Sequence, residues 1–296
     1  MFTSSPQARI ARDDEVYRLR GRRNAAVNRS WLCDPGRAVY KEIGASSRVS
    51  GARLREAASS AWRGVSVDDA LDAVAAHLKE AGRASAFLAS PQSTNEDLFA
   101  FRTLAAAVGG LVDFRVGDPQ SRVRVREDEI LIRADKNPNT QGCLKLGLDR
   151  SGVEQVLAAC AGDDVRALLL QGPELLRMDA ARSALSRVPF IAVMATHEGP
   201  ALDLAHAVLP ASVWAEVDGT FTNYERRVQR IRPAVPAPGD ARPRFELAAA
   251  LLRRLGAPLV DASARGIFRS LADAVSAYGG LDYKALGSGG RELAPS

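Results

Sequence analysis

The sequence predicts an α/β protein built on a mostly parallel sheet. Short, continuous apolar runs such as "ASAFLAS" (84–90), "VRALLLQG" (165–172) and "PFIAVMAT" (189–196) alternate with stretches of helical periodicity. Strands apolar on every residue are strands covered on both faces, the signature of a parallel sheet between helices. The chain has 296 residues, 46% of them hydrophobic, enough for a substantial core expected in two lobes.

The elements follow in order. Residues 1–50 are polar and arginine-rich, with "DEVYRLRGR" (14–22) alternating like a strand and "WLCDPGR" (31–37) carrying turn chemistry. At Ser66 the rhythm changes. Ser66 with Asp69 resembles a capping box, and "VDDALDAVAAHLKEAG" (67–82) runs at helical spacing to a glycine stop. After the strand at 84–90, Ser93 or Thr94, with Glu96 or Asp97 behind, caps the helix "NEDLFAFRTLAAAVGG" (95–110). "LVDFRVG" (111–117) is the next strand, and "RVRVRED" (122–128) reads as an edge strand with one charged face.

Beyond the loop "ADKNPNTQG" (134–142) come helix (152–162), strand (165–172), helix (178–188), strand (189–196), a short helix (199–205) and the short strand "HAVLP" (206–210). A Pro-rich loop (232–243) leads to the helix "PRFELAAALLRRLGAP" (243–258). The tail "GSGGRELAPS" (287–296) is expected to be mobile.

Composition narrows the function classes. The net charge is +5, but the basic residues are scattered among acids, so nucleic-acid binding is not expected. No apolar run is long enough to span a bilayer, and the N-terminus has no apolar signal core, so a cytoplasmic chain without direct membrane insertion is expected. Neither GxxxxGK[ST] nor a strand–GxGxxG–helix is present, which leaves an ordinary nucleotide site unsupported.

Candidate site residues are few. Cys33, Cys143 and Cys160 are far apart in sequence and lack CxxC spacing. Cys33 is either a small buried residue behind Trp31 or one ligand of a cluster whose other thiolates are elsewhere. His197 and Glu198 follow a strand's C-terminal end, the usual ligand edge of an α/β sheet, whereas His77 and His206 read as structural. Asn137, Pro138, Asn139, Thr140 and Gly142 form dense turn chemistry. Glu216, Gly219, Thr220, Asn223 and Glu225 cluster in "AEVDGTFTNYERRVQR" (215–230), a polar loop that either folds over a ligand or knits two lobes together.

Five stretches together resemble a known family. "DEVYRLRGRRNAAVNRSWLCDPGRAVY" resembles the end of the iron–sulfur subdomain of molybdopterin oxidoreductases. "SPQSTNEDLFAFRTLAAAVGG" is similar to that family's first α/β segment. "ADKNPNTQGCLKLGL", "HAVLPASVWAEVDGTFTNYERRVQR" and "GIFRSLADAVSAYGGLDYKALGSGG" follow in family order, with most likeness to the large peripheral-arm subunit of NADH-quinone oxidoreductase, respiratory complex I.

The resemblance implies a reduced molybdopterin-oxidoreductase scaffold with Rossmann-like parallel-sheet lobes. Residues 1–50 would be a remnant of the 4Fe-4S subdomain, 51–117 a first α/β segment, 118–260 a second α/β lobe and 261–296 a C-terminal tail. Cys33 matches the fourth ligand of a 4Fe-4S cluster, whose other three cysteines are absent from this chain, so a cluster needs cysteines from elsewhere. The family's long middle segment is missing, which makes a molybdopterin cofactor unexpected and independent catalysis uncertain. Arg226 replaces a usual glycine. The implied role is a component of the peripheral arm, with other peripheral-arm subunits as partners and the inner face of the plasma membrane as its place. The alternatives are a molybdopterin-dependent, formate dehydrogenase-like oxidoreductase and a stand-alone nucleotide-binding α/β protein.

Overall fold

A computed structural model describes residues 7–12, 14–114, 135–148, 152–173 and 179–294. The charged-strand expectation at 122–128 lies outside the described residues.

The chain opens with an antiparallel pair, β1 (Gln7–Arg12) and β2 (Glu15–Gly21), followed by two short helices, α1 (Asp34–Ala38) and α2 (Tyr40–Ile43). The "DPG" segment, expected as a turn, is the first turn of α1. Pro35 stands in that first turn, where its fixed φ suits a helix and its missing N–H costs nothing. Strands β3 (Ala52–Leu54) and β4 (Arg63–Val65) come next, then α3 (Val67–Ala81), β5 (Ser85–Ala89), α4 (Asn95–Val108) and β6 (Leu111–Phe114). Further on lie α5 (Thr140–Lys145), α6 (Gly152–Ala161), β7 (Ala167–Leu170), α7 (Asp179–Leu185), β8 (Phe190–Ala195) and β9 (Ala207–Pro210). The described chain closes with β10 (Gly219–Thr222), β11 (Arg227–Ile231), α8 (Arg244–Arg254), α9 (Ala264–Ala274) and β12 (Arg291–Glu292).

Seven strands form one sheet in the order β4-β3-β9-β8-β7-β5-β6. The five strands from β9 to β6 are parallel, and β3 and β4 extend the edge antiparallel. The α/β class and the parallel-dominated sheet are as the sequence predicts. Strands of the 51–117 and 118–260 segments meet in this sheet, where β5 pairs with β6 on one side and with β7 on the other.

Period-2 alternation divides each central strand between two cores. Phe87 and Ala89 of β5, Leu169 of β7 and Met194 of β8 join one core with Leu71 and Val74 of α3, Leu98 and Phe101 of α4, Leu251 of α8 and Phe268 of α9. Ala86, Leu88, Leu168, Leu170, Ile191 and Val193 face the other, with Val156 of α6 and Leu185 of α7. A third, smaller core ties Val16, Leu19, Leu32 and Ile43 to Val213, Ala215 and Val235.

Helix starts follow their capping residues. Ser66 accepts the Asp69 N–H at 3.0 Å, although the reciprocal bond of a full box is not formed. Thr94 and Asp97 form a complete capping box on α4. The tail expected to be mobile is a strand: β12 pairs with β11 and Leu293 is buried in the main core. Its backbone completes a three-stranded sheet with the β10–β11 hairpin. That long-range pairing leaves no periodic signal in a Gly-rich sequence.

Candidate functional site

The C-terminal ends of β5 and β7 open onto the N-terminus of α4. This is the edge at which α/β sheets place ligands. Here the edge carries a buried polar network. Asn95, Glu96 and Asp97 occupy the first turn of α4 and are buried despite their polarity. Burial of such groups requires hydrogen-bond partners, and three other segments supply them.

The first is the β10–β11 hairpin. Thr220 and Thr222 stand two residues apart on β10, so both side chains face the same way. Asn95 Nδ2 donates to Thr220 Oγ1 at 2.9 Å and to Thr222 Oγ1 at 3.0 Å. Glu96 accepts the Thr220 N–H at 2.7 Å and the Thr220 hydroxyl at 3.0 Å. Gly219 allows this approach, since a Cβ there would lie 2.9 Å from Glu96 Oε2.

The second is the loop into α5. Asn139 Nδ2 donates to the Ser93 carbonyl at 2.8 Å, and Asn139 Oδ1 accepts the Thr222 N–H at 2.8 Å. Gly142 packs so closely that a Cβ would lie 2.3 Å from Oδ1 of both Asn139 and Asn95. Gln92 Nε2 donates to Asn137 Oδ1 at 2.7 Å, and Pro138 is buried beside them.

The third is the C-terminal segment. The Tyr278 hydroxyl lies 2.7 Å from Thr222 Oγ1, and the Tyr283 hydroxyl donates to Glu96 Oε1 at 2.9 Å. Complete burial pushes the Glu96 carboxyl up to about 8, against the lowering effect of its hydrogen bonds. Burial of the Tyr278 and Tyr283 hydroxyls likewise raises both phenols.

Asp97 does different work. One carboxylate oxygen accepts the Thr94 N–H at 3.0 Å and the other accepts the Phe245 N–H at 2.7 Å. It therefore caps α4 and also the start of α8, whose own cap position, Pro243, offers no side-chain hydrogen bond. Burial raises its carboxyl, and nearby Arg244 opposes that. Gln171, at the end of β7, donates to the Asp97 carbonyl at 2.9 Å and accepts the Ser90 N–H at 3.1 Å.

Of the residues singled out in the sequence, Asn139, Thr140, Gly142, Gly219 and Thr220 converge on this edge, with Asn137 and Pro138 beside it. Glu216 lies elsewhere, in a buried bidentate pair with Arg48. Asn223 shapes the hairpin turn, accepting the Arg227 N–H through Oδ1 at 2.8 Å. Sequence reading missed the roles of Asn95, Thr222, Tyr278 and Tyr283. The Thr-x-Thr alternation in "GTFT" was the signal available.

His197 and Glu198 lock the N-terminal segment onto the sheet. His197 Nε2 lies 2.8 Å from the Glu42 carbonyl, and Glu198 forms a bidentate pair with Arg53 at 2.6 and 2.5 Å. Cys33 is the N-cap of α1, with Sγ accepting the Gly36 N–H at 3.4 Å. Cys143 and Cys160 are buried in different cores. Desolvation raises both thiols, Cys160 up to about 11. Among the described residues no group of three or more His, Cys, Asp or Glu could hold a metal ion. No helix among the described residues is long and apolar enough to cross a membrane.

Comparison with known proteins shows a likeness over part of the chain. Residues 139–254 match the molybdopterin oxidoreductase family model, a stretch that runs from Asn139 through α8. The fold is that of these enzymes: acetylene hydratase from Pelobacter acetylenicus superposes with a TM-score of 0.57, covering 94% of this chain and 71% of that one at 10% identity. Over that segment the chain is similar to molybdopterin oxidoreductases, and its fold is like theirs.

The similar proteins of known description are more particular. The F420-dependent formate dehydrogenase 2 subunit alpha of Methanococcus maripaludis is 41% identical over 136 residues, 44% of this chain and 20% of that protein. A putative formate dehydrogenase of Bacillus subtilis is 33% identical over 146 residues, 48% of this chain and 15% of that protein. The NADPH-Fe(3+) oxidoreductase subunit alpha of Geobacter sulfurreducens is 34% identical over 154 residues, 48% of this chain and 18% of that protein. The matches thus span a fifth or less of these relatives' length.

Proposed function

We propose that this chain is a molybdopterin-oxidoreductase-type subunit of a multi-subunit oxidoreductase, of the formate dehydrogenase alpha kind rather than the large peripheral-arm subunit of NADH-quinone oxidoreductase. The observation that carries this reading is the family match over 139–254, which contains Asn139, Gly142, Gly219, Thr220, Thr222 and Arg244 of the sheet edge. The named relatives support the formate dehydrogenase-like alternative over the complex I expectation. Relatives described as alpha subunits make partner subunits part of the proposal.

The family name implies a cofactor, and the edge fits its polar organic part. The hydroxyls of Ser93, Thr140 and Ser212 are buried without a hydrogen-bond partner. They follow β5, open α5 and follow β9 respectively, so they stand in the loops of the ligand edge. Hydroxyls left unsatisfied in an interior are costly unless something else bonds them. They would hold phosphate or ring oxygens of a pterin. Bound there, a molybdenum cofactor would supply two-electron redox chemistry, and Ser93, Thr140 and Ser212 would orient its polar groups. The network of Asn95, Asn139 and Thr222 fixes the backbone that carries them.

Pterin and molybdenum content of the protein purified with its native partners tests this. The reading expects pterin to co-purify and to be lost from a folded Ser93→Ala, Thr140→Val, Ser212→Ala variant. A pterin-free native assembly would make the chain a scaffold subunit instead.

A further inference from the structure

Beside Tyr283, a cavity of about 350 Å³ is lined by Arg230, Arg232, Arg265, Tyr283, Lys284 and Gly287. Four of these six residues are cationic and none is acidic. Its floor is prebuilt. The Arg230 guanidinium lies 4.1 Å from the Tyr283 ring centroid and is held by Asp218 through bonds of 2.9 and 2.7 Å. Tyr283 is fixed in turn by its bond to Glu96. Arg232, Arg265 and Lys284 form an exposed rim.

The nearby acids are engaged elsewhere. Asp218 neutralises Arg230, Asp282 accepts the Ala285 N–H at 2.6 Å and Asp261 accepts the Ser263 N–H at 3.0 Å. Arg265 sits in the first turn of the 11-residue helix α9, whose positive end the Asp261 carboxylate already faces. The cavity therefore concentrates positive charge over a rigid aromatic floor, at a size suited to a small molecule.

We infer that this cavity binds a small phosphate-bearing anion with at least two negative charges, Arg265 and Lys284 supplying the recognising cations. The assignment does not rest on the cofactor reading, although Tyr283 links the cavity to the sheet edge through Glu96. Arg fits phosphate oxygens bidentately and Lys adds a point charge, so a doubly charged phosphate ligand satisfies both. Arg230 serves as floor because its guanidinium is already committed to Asp218.

Calorimetric titration of inorganic pyrophosphate into the full chain at low ionic strength tests the assignment. One saturable site per chain is expected, weakened at least tenfold in an Arg265→Glu, Lys284→Glu variant. Both residues are exposed, and circular dichroism confirms that the variant is folded. Binding should also weaken as salt is raised. An absence of saturable binding, or binding that survives the charge reversal, overturns the proposal. So does a variant that still binds pyrophosphate but loses a co-purifying subunit, which would assign the patch to a protein partner.

Discussion

The Asp97 carboxylate accepts the Phe245 amide N–H at 2.7 Å while its other oxygen closes the capping box with Thr94, so one buried acid starts two helices. Replacing Asp97 by Asn turns one of those oxygens into a donor facing a backbone donor. Asp97→Asn is therefore expected to destabilise the protein by about 2–3 kcal/mol, close to the effect of Asp97→Ala, since both leave a buried N–H unpaired. Urea denaturation midpoints check this. An Asn variant as stable as the parent would refute the shared-cap account.

Arg48 and Glu216 form the second buried joint, with bonds of 2.6 and 2.8 Å and side chains 6% and 1% exposed. Glu216 also accepts the Val213 N–H at 2.9 Å, so the pair ties the N-terminal segment to the loop before the β10–β11 hairpin. Removing one partner leaves a buried charge. Glu216→Ala or Arg48→Ala is expected to cost about 3–5 kcal/mol, whereas the double change costs less than the sum. A double-mutant cycle in urea measures the coupling.

Glu96 gives the stability a pH dependence of definite sign. Its folded value of about 8 lies above the ordinary 4.5, so folding favours the protonated form. That contribution is full below about pH 4.5 and is lost as pH rises through about 8, on the order of 5 kcal/mol in all. Glu96→Gln keeps an acceptor for the Thr220 N–H and offers donors to the Thr220 and Tyr283 oxygens. The variant should lose less stability between pH 5 and pH 9 than the parent does. Parallel slopes in a pH series of urea melts would place the titrating group elsewhere.

Arg226 adopts φ of +62°, in the left-handed region that a side chain disfavours. It ends the turn from Asn223, whose carbonyl accepts the Arg226 N–H at 2.9 Å. The glycine expected at this place in the resembling family answers to that backbone conformation. Arg226→Gly is expected to be neutral to stabilising by up to about 1 kcal/mol, read as an upward shift in thermal midpoint. Marked destabilisation would show that the Arg226 side chain contributes more than the strain costs.

Much of the fold was legible because its signals are local. Ser66, Thr94 and Asp97 announce helix starts with side chains that satisfy orphan N–H groups. The strands of the parallel core are apolar throughout, so they stand out from amphipathic helices. The Asn139 and Gly219 loops were visible as dense polar turn chemistry, but their meeting at α4 was not. That meeting depends on contacts more than 80 residues apart, such as Thr222 with Asn139 and Thr220 with Glu96. Glu96 read as an ordinary first-turn acid on a helix, and nothing in its neighbours shows that Tyr283 turns it inward. Strand β12 was hidden for the same reason, since its partner β11 lies far back in the chain.

The central claim is the assignment to a formate dehydrogenase-type alpha subunit, and affinity purification from the native host with identification of co-purifying subunits tests it most directly. The account predicts partners of a molybdopterin-dependent oxidoreductase in constant ratio to this chain. Recovery of NADH-quinone oxidoreductase peripheral-arm subunits in their place would contradict it.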